Sequence, residues 1–383
     1  MQTRKIIRMH SARAFFATIL LVLSFGVNSC PPSEWASLMS IKSSLNEPNF
    51  GIFHSWRGTN CCYSWYGITC DPTTRSVAQI TLPGLTVGDN HRRLKTSKTG
   101  YMTGHISSSI CNLTQLSSIT ISDWKGISGN IPECITTLRF LQILDLSGNF
   151  ITGKIPYNIG SLTELTVLNL ADNHISGNIP TTVINLNNLM QLDLRHNAIE
   201  GPIPGNIGRL KRLNRVFLSH NRINGRIPRS ISNIYGLTDV DLSLNRLSGS
   251  IPFSLGQMPV LDYLNLRYNN FTGRIPKSLL ASRMSHLDLS RNGLRGNIPD
   301  VFSEISYFIN LDLSRNNLIG LIPKSMVLAT YIGHVDFSHN RLFGRIPAAT
   351  SLSHLQPASF QHNARLCGKP LKPCTHGGIY KRE

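Results

Sequence analysis

The sequence predicts an α/β fold: a right-handed solenoid whose coils each add one short strand to a parallel, concave β-sheet, closed at both ends by disulfide-bonded caps. Three observations predict it. A pattern LxxLxLxxNxIxGxIP recurs along the chain, with Asn149, Asn173, Asn197, Asn221, Asn245, Asn269, Asn292, Asn316 and Asn340 separated by 24 residues at every step except one of 23. Ile-Pro recurs ten times in the same phase, from Ile131-Pro132 to Ile346-Pro347. The eight cysteines gather toward the two ends, with none between Cys134 and Cys367. A unit this short hides its apolar face only against the next copy. The core therefore grows in one dimension, and 383 residues need not divide into several globular domains.

At the N-terminus, residues 1–29 read as an export signal. Arg4, Lys5, Arg8 and Arg13 make a basic leader, and Ala14–Val27 is an apolar run of signal length. Val27 and Ser29 are small enough for the −3 and −1 sites, which places cleavage before Cys30; an N-terminal membrane anchor is the alternative. No later stretch is long and apolar enough to span a membrane, and the polar tail Thr375–Glu383 carries no lipid-anchor signal.

Residues 30–74 read as the first cap. Trp35–Leu45 has helical apolar spacing, and Trp56, Trp65 and Tyr66 supply bulk. Adjacent Cys61 and Cys62 can hardly bond to each other, so Cys30 pairs with Cys61 and Cys62 with Cys70. Arg75–Leu85 reads as a first, degenerate strand, followed by an insertion at about 83–101. Cys111 and Cys134 lie 23 residues apart, about one coil, close enough for a third bridge. In the repeats (75–350), LxxLxL alternates as a strand does, with Leu turned inward. The Asn side chain serves backbone groups stranded by the turn. The Gly permits the backbone angle the turn requires, and Ile-Pro opens the convex side in an extended conformation. Residues 351–383 form the second cap, with Phe360 and Asn363 in a truncated coil and Cys367 bonded to Cys374. Asn112-Leu-Thr114 and Asn270-Phe-Thr272 are glycosylation sequons.

Eight cysteines, even in number and without histidine at ligand spacing, read as disulfides of an oxidising compartment rather than as a metal site. The net charge is +18. Four cations and no acid lie in residues 1–29, so cleavage leaves about +14, which favours acidic partners. Export argues against nucleic acid and for acidic polysaccharide or an acidic protein surface. No nucleophile elbow, zinc-protease helix or phosphate loop is present, so no enzyme and no cofactor is expected.

A partner is expected on the concave face, at the outward x positions of LxxLxLxx. The residue between the two strand leucines runs Asp145, Asn169, Asp193, Phe217, Asp241, Asn265, Asp288, Asp312, Asp336. This reads as a solvated polar stripe, or alternatively as an acidic track or cation site. The residue before each Asn runs Asp172, His196, His220, Leu244, Tyr268, Arg291, Arg315, His339, with Arg195 and Arg267 beside it and Arg215, Tyr263, His286 and His334 further across. Arginine, tyrosine and histidine grouped with Phe217 mark a recognition surface. The insertion's His91-Arg92-Arg93-Leu94-Lys95 is a solvated loop or a second contact for an acidic polymer.

The 24-residue LxxLxLxxNxIxGxIP motif, with a Cys61-Cys62 pair and Trp65-Tyr66-Gly-Ile-Thr-Cys70-Asp before it, resembles the plant extracellular leucine-rich-repeat proteins over essentially the whole predicted mature chain. That family includes polygalacturonase inhibitors and receptor-kinase ectodomains. The resemblance implies a secreted cell-wall module that binds a protein on its concave face, whether a pectinase or a receptor ectodomain. Binding of pectin and a stress-tolerance role inside the cell are the other readings. The insertion, the Cys111/Cys134 pair and a C-terminal cap with only two cysteines depart from the inhibitor pattern.

Overall fold

The structure, a computed structural model, describes residues 30–84, 100–348 and 355–374. The expected export signal, the basic run His91–Lys98 and the polar tail lie outside the described residues.

The chain winds into a stack of coils held by two long sheets. The principal sheet has twelve strands in sequence order, from Ile68–Cys70 and Val77–Pro83 through Gln191–Asp193 and Arg215–Phe217 to Tyr331–Asp336. Its first pair is antiparallel and the rest are parallel, with the repeat leucines in register: Leu168 beside Leu192, and Leu192 beside Val216. These inward residues form one continuous core running from Leu38 to Leu366. At most of the repeat strands two successive N–H groups at the start share one carbonyl of the preceding coil. Asn214 and Arg215, for example, both donate to Met190 O (2.9 and 3.2 Å). Of the two x residues in that coil, Asn214 is half-buried and Arg215 exposed.

The turn after each strand depends on the buried asparagines. Asn221 Nδ2 donates to Leu194 O (2.9 Å) in the preceding coil and to Leu218 O and Ser219 O (both 3.2 Å) in its own, while Oδ1 accepts from Ile199 N (2.9 Å). One amide thus ties four backbone groups across two coils, as expected for turns that leave main-chain groups without a partner. The residue before each Asn is left-handed, with φ of 51–55° at His196, His220, Leu244, Tyr268, Arg291, Arg315 and His339. None is β-branched, which is the restriction this backbone region imposes.

Beyond the turn lies a second parallel sheet of nine strands, from Ser176–Asn178 to Arg365–Cys367. The sequence did not announce it, because its strands are three to five residues long and contain the repeat glycine. Most Ile-Pro pairs then lead into a short 3-10 or α-helical turn, with Pro228 extended at φ −63°, ψ 133° before Arg229–Asn233. The helix Pro32–Ser44 covers the N-terminal end of the core, with Trp56 and Trp65 stacked at 5.1 Å beneath it. Trp124 is fully buried and donates to Leu82 O (2.8 Å). All four expected disulfides are present: Cys30–Cys61, Cys62–Cys70, Cys111–Cys134 and Cys367–Cys374.

Candidate functional site

The outer face of the principal sheet carries the residues the sequence singled out, and the 24-residue register decides which of them meet. In one cluster the Arg195 guanidinium lies 5.6 Å above the Phe217 ring and 3.3 Å from Asp193. His196 stacks on His220 at 4.0 Å with rings 16° apart, and its Nδ1 lies 3.9 Å from Asp172. Arg215 approaches Asp239 at 3.8 Å. Each pair joins neighbouring coils or neighbouring columns, so a rigid backbone spacing presents the side chains already oriented. Burial, and then His196, holds the His220 imidazole below its ordinary value, so the stack favours a neutral ring there.

A second cluster lies further along. Arg291 sits 5.8 Å above the Tyr268 ring, Tyr268 is exposed, and Arg267 is exposed beside it. Tyr263 meets His286 at 5.6 Å, and His286 Nδ1 is 2.8 Å from Ser285 Oγ. Half-buried Leu244 separates the two clusters. Arg315 extends the second cluster by one coil toward a further stack, His339 on His362 at 4.0 Å. His362 had not been singled out, although it precedes Asn363 as the other column members precede their asparagines. His334 is exposed near that end.

The short polar column is not a solvated stripe. Its carboxylates and amides cap the strand ends: Oδ1 of Asp145, Asp193, Asp241, Asp288, Asp312 and Asp336 accepts the N–H two residues on, at 2.8–3.3 Å. Asn169 and Asn265 make the same bond (3.2 and 3.1 Å), so its geometry does not require a charge. Nor does the column gather ligands for a metal. Among the described residues the one cluster with ligand spacing is Cys30, Cys61 and Cys62, whose sulfurs are in disulfides. Burial raises the Asp193 carboxyl above the usual carboxylate range, with Arg195 opposing; burial also raises Asp288, with Asp312 adding to the shift.

A raised carboxyl contributes stability that is present at pH below its unfolded value and is lost as pH climbs through its folded value. Asp288→Asn keeps the turn bond without the buried charge. It should therefore be more stable than the parent at pH 7. That advantage should vanish near pH 3, where Asp288 is itself neutral. Urea denaturation of both proteins at the two pH values measures it, and an equal gain at both would exclude the electrostatic cause.

Both sequon asparagines, Asn112 and Asn270, are exposed, Asn270 at the start of a second-sheet strand. No helix among the described residues is long and apolar enough to cross a membrane.

Comparison with known proteins agrees with this architecture. The leucine rich repeat N-terminal domain model matches residues 31–71, and leucine rich repeat models match 163–223, 140–162, 236–258, 260–281 and 283–305. The DNA damage-repair/toleration protein DRT100 of Arabidopsis thaliana is 48% identical over 139 residues, covering 35% of this chain and 37% of that protein. Polygalacturonase inhibitor 1 of Oryza sativa subsp. japonica is 31% identical, covering 36% of this chain and 39% of that one. The matched stretches thus span less than two fifths of these relatives. The crystal structure of PEPR1–AtPEP1 superposes with a TM-score of 0.76 at 30% identity, over 88% of this chain and 46% of that one. With its capped coils, its Asn ladder and these matches, the chain belongs to the leucine-rich-repeat proteins, related to the polygalacturonase inhibitors and the receptor-like proteins of plants.

Proposed function

We propose that this chain is a secreted module of the plant cell wall that holds a protein partner against the outer face of its principal sheet, with a polygalacturonase-class enzyme as the partner it inhibits. The observation that carries this reading is the pair of preorganised clusters, Arg195/His196/Arg215/Phe217/His220 and Tyr263/Arg267/Tyr268/Arg291 with Arg315. Exposed tyrosine and arginine stacked on one another are the side chains that dominate protein–protein hot spots. The capping carboxylates give the same face both signs of charge, which suits a protein surface better than a uniform polyanion. Four disulfides fit an oxidising compartment. The polygalacturonase inhibitor relative supports the enzyme class by its name, and the PEPR1–AtPEP1 structure supports a receptor-type ligand as the second reading.

Titration of polygalacturonase with the secreted protein, at mildly acidic pH and several pectin concentrations, tests the proposal. Inhibition that persists at high pectin is expected; no inhibition of any enzyme tested would leave the receptor-type reading. Tyr268→Ala with Arg291→Ala should weaken inhibition roughly 30-fold or more, because truncating a stacked aromatic–arginine pair commonly costs about 2 kcal/mol or more. Arg315→Gln, at the edge of the cluster, should change it less than about 3-fold.

A further inference from the structure

Coil is bonded to coil at one end of the solenoid and not at the other. Near the N-terminus Cys111–Cys134 joins residues 23 apart, one coil to the next. Beyond Cys134 no disulfide does this, because Cys367–Cys374 joins residues 7 apart within the cap. The last two strands of the principal sheet carry a different pair at the spacing of one coil. Tyr307 and Tyr331 lie 24 residues apart, and their rings stack at 4.9 Å with planes 25° apart. The strands Ile143–Asp145 and His286–Asp288 are three residues long, whereas Tyr307–Asp312 and Tyr331–Asp336 are six, in register from Tyr307 beside Tyr331 to Asp312 beside Asp336. The extra residues are what set the two tyrosines side by side. A Cβ on Gly333 would meet Tyr331 Cε1 and Oη at 3.1 Å, so the bare glycine leaves room for that ring to lie over its own strand.

Two stacked phenols on a surface are placed to couple as tyrosyl radicals, and the surroundings favour this pair. Both residues are 45% exposed, within reach of an oxidant. No thiol is free, Trp56, Trp65 and Trp124 are buried and Trp35 is half-buried, so the side chains that lose an electron as readily as a phenol are largely withheld. Other exposed tyrosines are worse placed. Lys211 lies over the Tyr235 ring at 5.7 Å and Arg291 over the Tyr268 ring at 5.8 Å, and a cation on the ring opposes loss of an electron from it. Among the described residues no other two tyrosine rings meet, so a radical at Tyr63, Tyr66, Tyr101 or Tyr157 must wait for a second molecule. A partner already in contact acts at an effective concentration far above that of any second molecule.

We propose that Tyr307 and Tyr331 are a modification site, at which a haem peroxidase with hydrogen peroxide joins the two rings as dityrosine and so fastens the last two strands of the principal sheet to each other. Each phenol gives up one electron and its hydroxyl proton. The two radicals form one carbon–carbon bond between the Cε carbons beside their oxygens, and the hydrogen displaced from each of those carbons passes through solvent to restore the phenol. The peroxide takes up the two electrons and two protons and leaves as two waters. The product is lighter by two hydrogens and closes a loop of one coil, as Cys111–Cys134 does at the other end. An oxidising compartment, which the disulfides fit, is where such an oxidant acts. The site does not rest on the reading given to the protein-binding face.

Treatment of the full-length secreted protein with a haem peroxidase and limiting hydrogen peroxide, followed by trypsin and mass spectrometry, tests this. Cleavage after Arg295, Arg315, Lys324 and Arg341 puts Tyr307 and Tyr331 on separate peptides, 296–315 and 325–341, which the new bond would hold together at two hydrogens less than their sum. Expected is that linked pair as the main dityrosine product, in monomeric protein, at a rate unchanged over an about 10-fold range of protein concentration, because coupling within one molecule needs no encounter. Tyr307→Phe and Tyr331→Phe, which keep the rings and lose one phenol, should each lower dityrosine fluorescence about 10-fold or more, whereas Tyr235→Phe and Tyr268→Phe should leave it within about 2-fold. Amide exchange in Tyr307–Asp312 and Tyr331–Asp336 should slow about 3-fold or more in the linked protein, because the closed loop restrains local opening. Cross-linked dimers that grow with protein concentration, dityrosine that persists in either of the first two variants, exchange unchanged by the link, or no linked peptides would each overturn the proposal.

Discussion

Asn221→Ala should lower the stability of the solenoid by about 3–5 kcal/mol, and more than any single substitution of an exposed residue on either sheet. The amide serves Leu194 O, Leu218 O, Ser219 O and Ile199 N, and the residue is 9% exposed, so water cannot replace it without opening the turn. Each buried backbone group left without a partner costs about 1–3 kcal/mol, and relaxation recovers part of the sum. Asn221→Asp separates the two halves of the role. The carboxylate still accepts from Ile199 N, yet it sets a second oxygen against three carbonyls and buries a charge, so its loss should be at least as large at neutral pH and smaller in acid. Chemical denaturation followed by circular dichroism gives both values. Interfaces between neighbouring coils carry the cooperativity of a repeat array, so the damage should also spread along the stack as faster amide exchange in adjacent strands. An Asn221→Ala loss below about 1 kcal/mol would mean that the ladder is satisfied by other means.

The sequence made the ladder legible because its partners are fixed by the period. One side chain type, at one spacing, beside a glycine that recurs with it, has few physical explanations. The disulfides were legible for a related reason: Cys61 and Cys62 exclude each other, and Cys111 and Cys134 fall almost one coil apart. The ten candidate contact residues lie in or just after strands of the principal sheet, and pairs such as His196–His220 follow from register alone. Less was visible where the backbone decides the role. The Asp column reads from sequence as polar and variable, whereas its carboxylates are turn caps, an assignment that needs the position of the N–H two residues on. The left-handed φ of the column before Asn is equally silent, because His, Tyr, Arg and Leu do not advertise that conformation as Gly does. The second sheet was missed outright, since segments such as Arg222–Gly225 are too short and too glycine-rich to show strand periodicity.

Gly208→Ala should cost about 2–4 kcal/mol even though Gly208 has no unusual backbone angle and stands outside the repeat glycine column. A Cβ there would lie 2.0 Å from Ser230 O and 2.8 Å from Ser230 C, atoms of the next coil's backbone. Backbone cannot rotate away as a side chain can, so the coils must part. The close approach has a purpose, because it lets Ser230 Oγ donate to Gly205 O (2.6 Å) across the gap. The device recurs two coils away on each side. Gly160 meets Thr182 O at 2.0 Å, and Gly256 meets Ser278 C at 2.3 Å, with Ser278 Oγ donating to Phe253 O (2.6 Å). Gly236→Ala is the control: nothing lies within 4 Å of its added methyl, and the change should stay within about 0.5 kcal/mol. The consequence reaches the proposed binding face. The coils that Gly208 and Ser230 hold together are those whose strands, Gln191–Asp193 and Arg215–Phe217, pair side by side, and across that seam Arg195 covers Phe217 and His196 stacks on His220. A wedge at the back of these two coils should loosen both pairs at the front. Inhibition of polygalacturonase should therefore weaken in Gly208→Ala at temperatures where the protein is still folded, and remain unchanged in Gly236→Ala. Full inhibition by folded Gly208→Ala would show that the cluster tolerates a splayed seam, and would shift the weight of recognition to Tyr268 and Arg291.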